Sequence, residues 1–402
     1  MKNSISNKIL VLALLLVTSC GLKKVKVSKV TTNTTSGIEN IFNQELGIET
    51  VPEILGKEYT KNFERYTKVL APNGKPIHIV IQDDITDGQA VRCRGILEHF
   101  LKDYPGSKYG NDKSAIANKM AENNAVLALM NGQDDGKTEV RVNAQSLFKN
   151  EIQVEGHSWY TNQNYEHRDA AYEEILHFVH DNGIGVDGPN TMPGAAPELQ
   201  KEIRAAQVNG LANKLWADNE RAKDWIEELA EENSLSQEYL AAVIDVYYGL
   251  WGAFDENAGM GGLYVAKVRD AIKTKDAMAY ELMNNKFFHP YITYNARIDS
   301  EFKGVFSLKF DESIPYTHHA RYLKDITLLG NNDTNVLVNQ LDNDITGNEG
   351  INTVFFPGNS YEYEILTKAG MTTVKDNTQT RNGQNTLRNI EKLQFADKSV
   401  DL

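Results

Sequence analysis

Cysteine is nearly absent: Cys20 and Cys93 are the only two in 402 residues, too few for a disulfide framework. Stability must therefore rest on an apolar core or on bound metal. Positive charge is also short. Forty-two Lys and Arg against 55 Asp and Glu leave a net charge of −13, which argues against a nucleic-acid partner and suits cation binding and solubility. No Gly-x-Ser-x-Gly occurs, so the nucleophile elbow of Ser-His-Asp hydrolases is missing. The nearest approach to a phosphate-cradling loop runs from Gly132 to Thr138. It is one residue short, and Asp134 and Asp135 would repel phosphate. The apolar run Ile9 to Val17 is too short to span a bilayer.

That run is informative in another way. Lys2 and Lys8 precede it, and Thr18-Ser19-Cys20 ends it, the layout of a secretion signal. A cysteine directly after small residues resembles the lipobox of bacterial lipoproteins. The resemblance implies cleavage before Cys20, lipidation of its thiol and tethering to a bacterial cell-envelope membrane, at the outer membrane or cell surface. Removing residues 1–19 deletes Lys2 and Lys8 and no acid, taking the charge from −13 to −15. Residues 20–50, rich in Lys, Val, Thr, Ser and Asn, read as the lipidated tether. With Cys20 acylated only Cys93 is left, and it reads as a small buried hydrophobe beside Ile96 and Leu97.

The last 75 or so residues have their own texture. Gly347-Asn348-Glu349-Gly350-Ile351-Asn352-Thr353-Val354-Phe355 resembles one turn of the nonapeptide of RTX, or haemolysin-type, calcium-binding proteins. Leu337, Ile345 and Val354 recur at spacings of eight and nine, as inward positions of a parallel β-roll would. Residues 383–397 resemble the capping segment that follows such repeats. The family implies Ca²⁺ held by loop carbonyls and an aspartate from each turn, which points to Asp342, Asp344 and Asn352. This copy departs from the pattern. Asn343 and Asn352 stand at aspartate positions, and Val338 and Leu341 replace glycines. Fewer carboxylates mean weaker calcium binding.

Four of the nine histidines, His157, His167, His177 and His180, fall between residues 157 and 181. On a helix Glu173, His177 and His180 sit at i, i+4 and i+7 and share one stripe. Carboxylate plus imidazole suits a divalent transition metal, zinc first. Glu173-Glu174-Ile175-Leu176-His177 resembles the His-Glu-x-x-His helix of zincin metallopeptidases with the first His replaced. The resemblance implies Glu173 and His177 as ligands and Glu174 as general base. In the gluzincin branch a later helix adds a Glu, for which Glu238 is best placed; His180 is the other candidate. Tyr239 and Tyr294 are candidates to polarise a carbonyl. The alternative for His177 is an exposed helix face on which it pairs with Glu173 or Glu174. Trp159, Tyr160, Tyr165, Tyr247, Tyr248, Trp251 and Tyr291 would suit sugar stacking, but aromatics at helical spacing are more often core.

Periodicity and turn signals give strands at 76–81 and 125–130 and helices over 87–104, 112–124, 168–181, 198–216, 236–254 and 263–285. The fold expected is α+β: a mostly helical main domain at 51–325 followed by a small β-roll-like module at 326–402. The function expected is an envelope-anchored, zincin-like hydrolase with a peptide or glycan substrate. The rival is a non-catalytic surface protein that binds calcium, glycan or a partner.

Overall fold

The computed structural model describes residues 43–402 except 136–139, 164, 166, 167, 189, 190, 192, 220, 221, 379 and 380. The leader, Cys20, most of the tether and His167 lie outside the described residues. Among the described residues no helix is long and apolar enough to cross a membrane.

The main domain is not mostly helical. The described residues are 35% helix and 22% strand, with three mixed sheets. Its first sheet runs in the order β1 (Glu49–Thr50), β2 (Arg65–Leu70), β3 (Pro76–Ile81), β4 (Val126–Met130) and β5 (Gln145–Phe148). The pairs β1–β2 and β2–β3 are antiparallel, and β3–β4 and β4–β5 are parallel. Both faces are covered, as parallel strands require. Ile77, Ile79, Ile81, Leu127 and Leu129 join the main core, while Val80, Val126, Ala128 and Met130 pack on Tyr59, Phe63 and Tyr66. Two of these strands hide from an apolar pattern. β2 buries Arg65, whose guanidinium donates to the Gln82 carbonyl at 2.9 Å and to Asp87 at 3.0 Å, and β5 opens with Gln145-Ser146.

Helix α1 (Lys57–Thr60) precedes β2, and α2 (Asp87–Leu101) and α3 (Ser114–Glu122) make the crossover from β3 to β4. A capping box between Thr86 and Gln89 starts α2. Among the described residues, seven α-helices lie between β5 and the next strand: α4 (Ser158–Asn162), α5 (Ala171–Val179), α6 (Pro197–Ala212), α7 (Lys223–Glu232), α8 (Leu235–Tyr247), α9 (Arg269–Lys275) and α10 (Ala277–Met283). Every residue of α5 is buried, so its polar stripe does not face solvent. A π-helical turn, His180–Ile184, widens the end of α5.

The remaining chain alternates between two sheets. β6 (Ile292–Ile298) and β7 (Val305–Ser307) come first, then helix α11 (Thr317–Ala320), β8 (Leu323–Leu328), β9 (Asn335–Leu337), β10 (Asp344–Thr346) and β11 (Thr353–Phe355). A hairpin of β12 (Tyr363–Lys368) and β13 (Met371–Asp376) interrupts the alternation before β14 (Gln384–Arg388), β15 (Lys392–Gln394) and β16 (Ser399–Asp401). β6, β8, β10 and β14 are parallel neighbours in one sheet; β7, β9, β11 and β15 are parallel neighbours in the other. Ala296, Ile326, Ile345 and Leu387 form one buried row, and Phe306, Val336, Val354 and Leu393 the facing one. The inward residue of β9 is therefore Val336, nine before Ile345, and not Leu337, which flanks it half-buried.

Candidate metal centre

A buried polar network fixes the start of α5. Arg92, on α2, donates Nε to Glu155 at 3.0 Å and its two terminal nitrogens to Asp169 at 3.1 and 2.5 Å. Tyr160 donates to Asp169 at 2.6 Å, and Tyr294, on β6, to Glu155 at 2.5 Å. Asp169 in turn accepts the Ala171 N–H, the first of α5, at 3.3 Å. Burial alone would disfavour the Arg92 charge, but Asp169 and Glu155 outweigh it and hold the guanidinium protonated. The helix bearing Glu173 is thus anchored from both sides.

One helical turn apart on α5, Glu173 and His177 meet Glu238 from the first turn of α8. One ligand atom from each of the three lies within 4.8 Å of the others, and relative exposures are 0%, 6% and 2%. His177 Nε2 is 3.8 Å from Glu238 Oε1, and its Nδ1 is 3.7 Å from Glu174 Oε2. Both are beyond hydrogen-bond length. Glu174 is oriented instead by Gln145 of β5, whose Nε2 donates to Glu174 Oε2 at 2.7 Å. Both oxygens of Glu173, His177 Nε2 and Glu238 Oε2 are buried without a hydrogen-bond partner among the described residues. The Arg168 guanidinium lies against Glu173 as an ion pair.

Unpaired charges at this depth cost several kcal/mol each unless a cation joins them. Arg168 is one such cation, set against Glu173, and a proton on His177 is another. Burial would push His177 down, but Glu238, Glu174 and Asp181 together hold it up to about 9. Burial raises Glu238, opposed by His177 and reinforced by Glu174. Asp245, seven residues beyond Glu238 on α8, is pushed up to about 7 by burial against the pull of Arg168. A divalent ion would relieve the same imbalance. One nitrogen and two oxygen donors that converge at this depth fit zinc, whose tetrahedral ligands sit about 2.0–2.2 Å from the ion.

His180 does not join this cluster. Its Nε2 is 2.6 Å from Gln200 Oε1 on α6, and burial lowers it to about 4. The π-turn that begins at His180 carries it off the Glu173–His177 row. His157 caps α4 through Nδ1, 3.3 Å from the Trp159 N–H. Tyr239 donates to Asp276 at 2.7 Å, and Tyr294 belongs to the Arg92 network, so neither reaches the centre. Trp159, Tyr160, Tyr247, Tyr248 and Trp251 are buried core, and Cys93 is a buried thiol pushed up by burial. Of the calcium candidates, Asp342 accepts the Gln384 N–H at 2.7 Å, Asp344 pairs with Arg388, and Asn352 is bonded within the roll. Sequence reading missed Arg168, Gln145 and Asp245. Only Asp245 left a signal, at i+7 from Glu238 on one helix face.

Comparison with protein families, with curated proteins and with solved structures finds no match.

Proposed function

We propose that the chain is an envelope-anchored, metal-dependent hydrolase of zincin-like design, with zinc as its first-choice ion and peptide bonds as its substrate. The observation that supports this reading is the convergence of Glu173, His177 and Glu238, buried and short of partners, with Glu174 alongside. When bound, zinc polarises a carbonyl and makes water acidic enough to lose a proton near neutral pH. Glu174 is the general base, its carboxylate turned by Gln145 and standing outside the ligand set. Arg168 offsets the negative charge that Glu173 brings where the zincin motif has a neutral imidazole. Two carboxylate donors leave the ion a weaker Lewis acid than two imidazoles would, so turnover is slow. Lipid on Cys20 supplies the membrane anchor.

The test is turnover of a mixed peptide and ester panel by the full-length protein loaded with zinc, beside Glu174→Gln. The variant should keep its zinc and lose about 10²–10⁴-fold in rate. Zinc bound in both proteins with turnover in neither would favour the non-catalytic surface protein that binds calcium, glycan or a partner.

A further inference from the structure

Among the described residues, five asparagines are buried in the turns of the roll, Asn339, Asn343, Asn348, Asn352 and Asn382, and a sixth, Asn385, at the start of β14. Each donates its amide nitrogen to a backbone carbonyl. Asn339 donates to Leu323 O at 3.1 Å, Asn343 to Lys324 O at 2.9 Å, Asn348 to Leu329 O at 3.0 Å and Asn352 to Thr334 O at 2.7 Å. Asn382 donates to Asn339 O at 3.2 Å and Asn385 to Asn382 O at 2.7 Å. The first four bonds each span 16 to 19 residues, which ties one coil to the coil before it. We infer that these amides perform the cross-linking that the RTX resemblance assigns to calcium, and that the roll folds and holds without that ion.

Chemistry and space both support the inference. Calcium takes six to eight oxygen ligands, carboxylates prominent among them. Here N–H donors face the backbone carbonyls, and the neighbouring carboxylates are engaged elsewhere. Asp342 accepts the Gln384 N–H, Asp333 the Ile351 N–H at 2.9 Å and Glu391 the Asn352 N–H at 2.7 Å, while Asp344 pairs with Arg388. Among the described residues Asn343 Oδ1 and Asn385 Oδ1 have no hydrogen-bond partner, but two neutral amide oxygens fall well short of a calcium shell. The turns are also closed. A Cβ on Gly347 would lie 1.9 Å from Asn389 O and 2.4 Å from Asn352 Oδ1, and one on Gly350 2.4 Å from Asn332 O. Backbone and amide fill the turn where a larger residue or an ion would have to enter. An unbonded carbonyl at this depth is costly, so the amides add stability that needs no cofactor.

Hydrogen exchange on the full-length protein tests this, comparing residues 335–395 in EGTA with the same residues in millimolar calcium chloride. Equal protection in the two buffers is expected; protection gained with calcium would overturn the inference. Asn352→Asp keeps the acceptor and removes the donor. It should lower protection in this segment about tenfold in EGTA, and unchanged protection would equally overturn the inference. Should the variant fail to fold, the wild-type comparison decides alone.

Discussion

The centre between α5 and α8 and the turns of the β-roll bury polar side chains to similar depth, yet leave them in opposite states. Around His177 the groups are charged, crowded and partly unpaired. In the roll they are neutral amides, each donating to a carbonyl. Both regions resemble metal-binding motifs in sequence, so resemblance alone does not separate them. The balance of donors does. Neutral amides that each donate to a carbonyl make a polar core self-sufficient, whereas orphaned carboxylates at low dielectric call for a cation.

The contrast breaks most severely at Arg92, the charged group that holds α5 in place. Arg92→Met strands Asp169 and Glu155 in the core and should destabilise the chain by about 3–5 kcal/mol in urea denaturation. A loss below about 1 kcal/mol would mean that the network is not what anchors α5.

Acid should sharpen the contrast next. Burial would raise Glu155, but Arg92, His319 and Tyr294 outweigh it and hold the carboxyl down to about 2, below its unfolded value of about 4.3. Its contribution to stability is then complete above pH ~4.3 and fades as pH falls toward 2. The amides of the roll do not titrate in that window. Hydrogen exchange between pH 4.5 and 2.5 should show α2 and α5 losing protection before β10 and β11, and the reverse order would refute the assignment.

The smallest expected effect is at Arg168. A guanidinium beside Glu173 disfavours a second cation there, so Arg168→Gln should tighten zinc binding about tenfold in competition with a chromogenic chelator. Weaker binding in the variant would instead make Arg168 a support for Glu173.

The candidate centre was largely legible in the sequence, because Glu173, Glu174 and His177 lie within one turn and a half of a helix whose period is regular. Glu238 was legible only through the zincin resemblance, since nothing local ties it to α5. His180 misled because a π-turn breaks the period at that residue, and Arg168, read as the first residue of the 168–181 helix, in fact lies before α5, so helical spacing gave no sign of its pairing with Glu173. Of the first sheet, β3 and β4 were legible as the strands at 76–81 and 125–130, and the other three were missed for a related reason. β1 has two residues, β2 buries a hydrogen-bonded arginine, and β5 begins with polar residues, so none shows the apolar alternation that marks a strand. The roll showed its nine-residue spacing, with the register slipped by one at Leu337.

The most direct test is the zinc content of the full-length protein by mass spectrometry beside a His177→Ala variant of unchanged circular dichroism. About one zinc per chain, lost in the variant, is the predicted result. Equal zinc in the two proteins, or none in either, would contradict the metal centre.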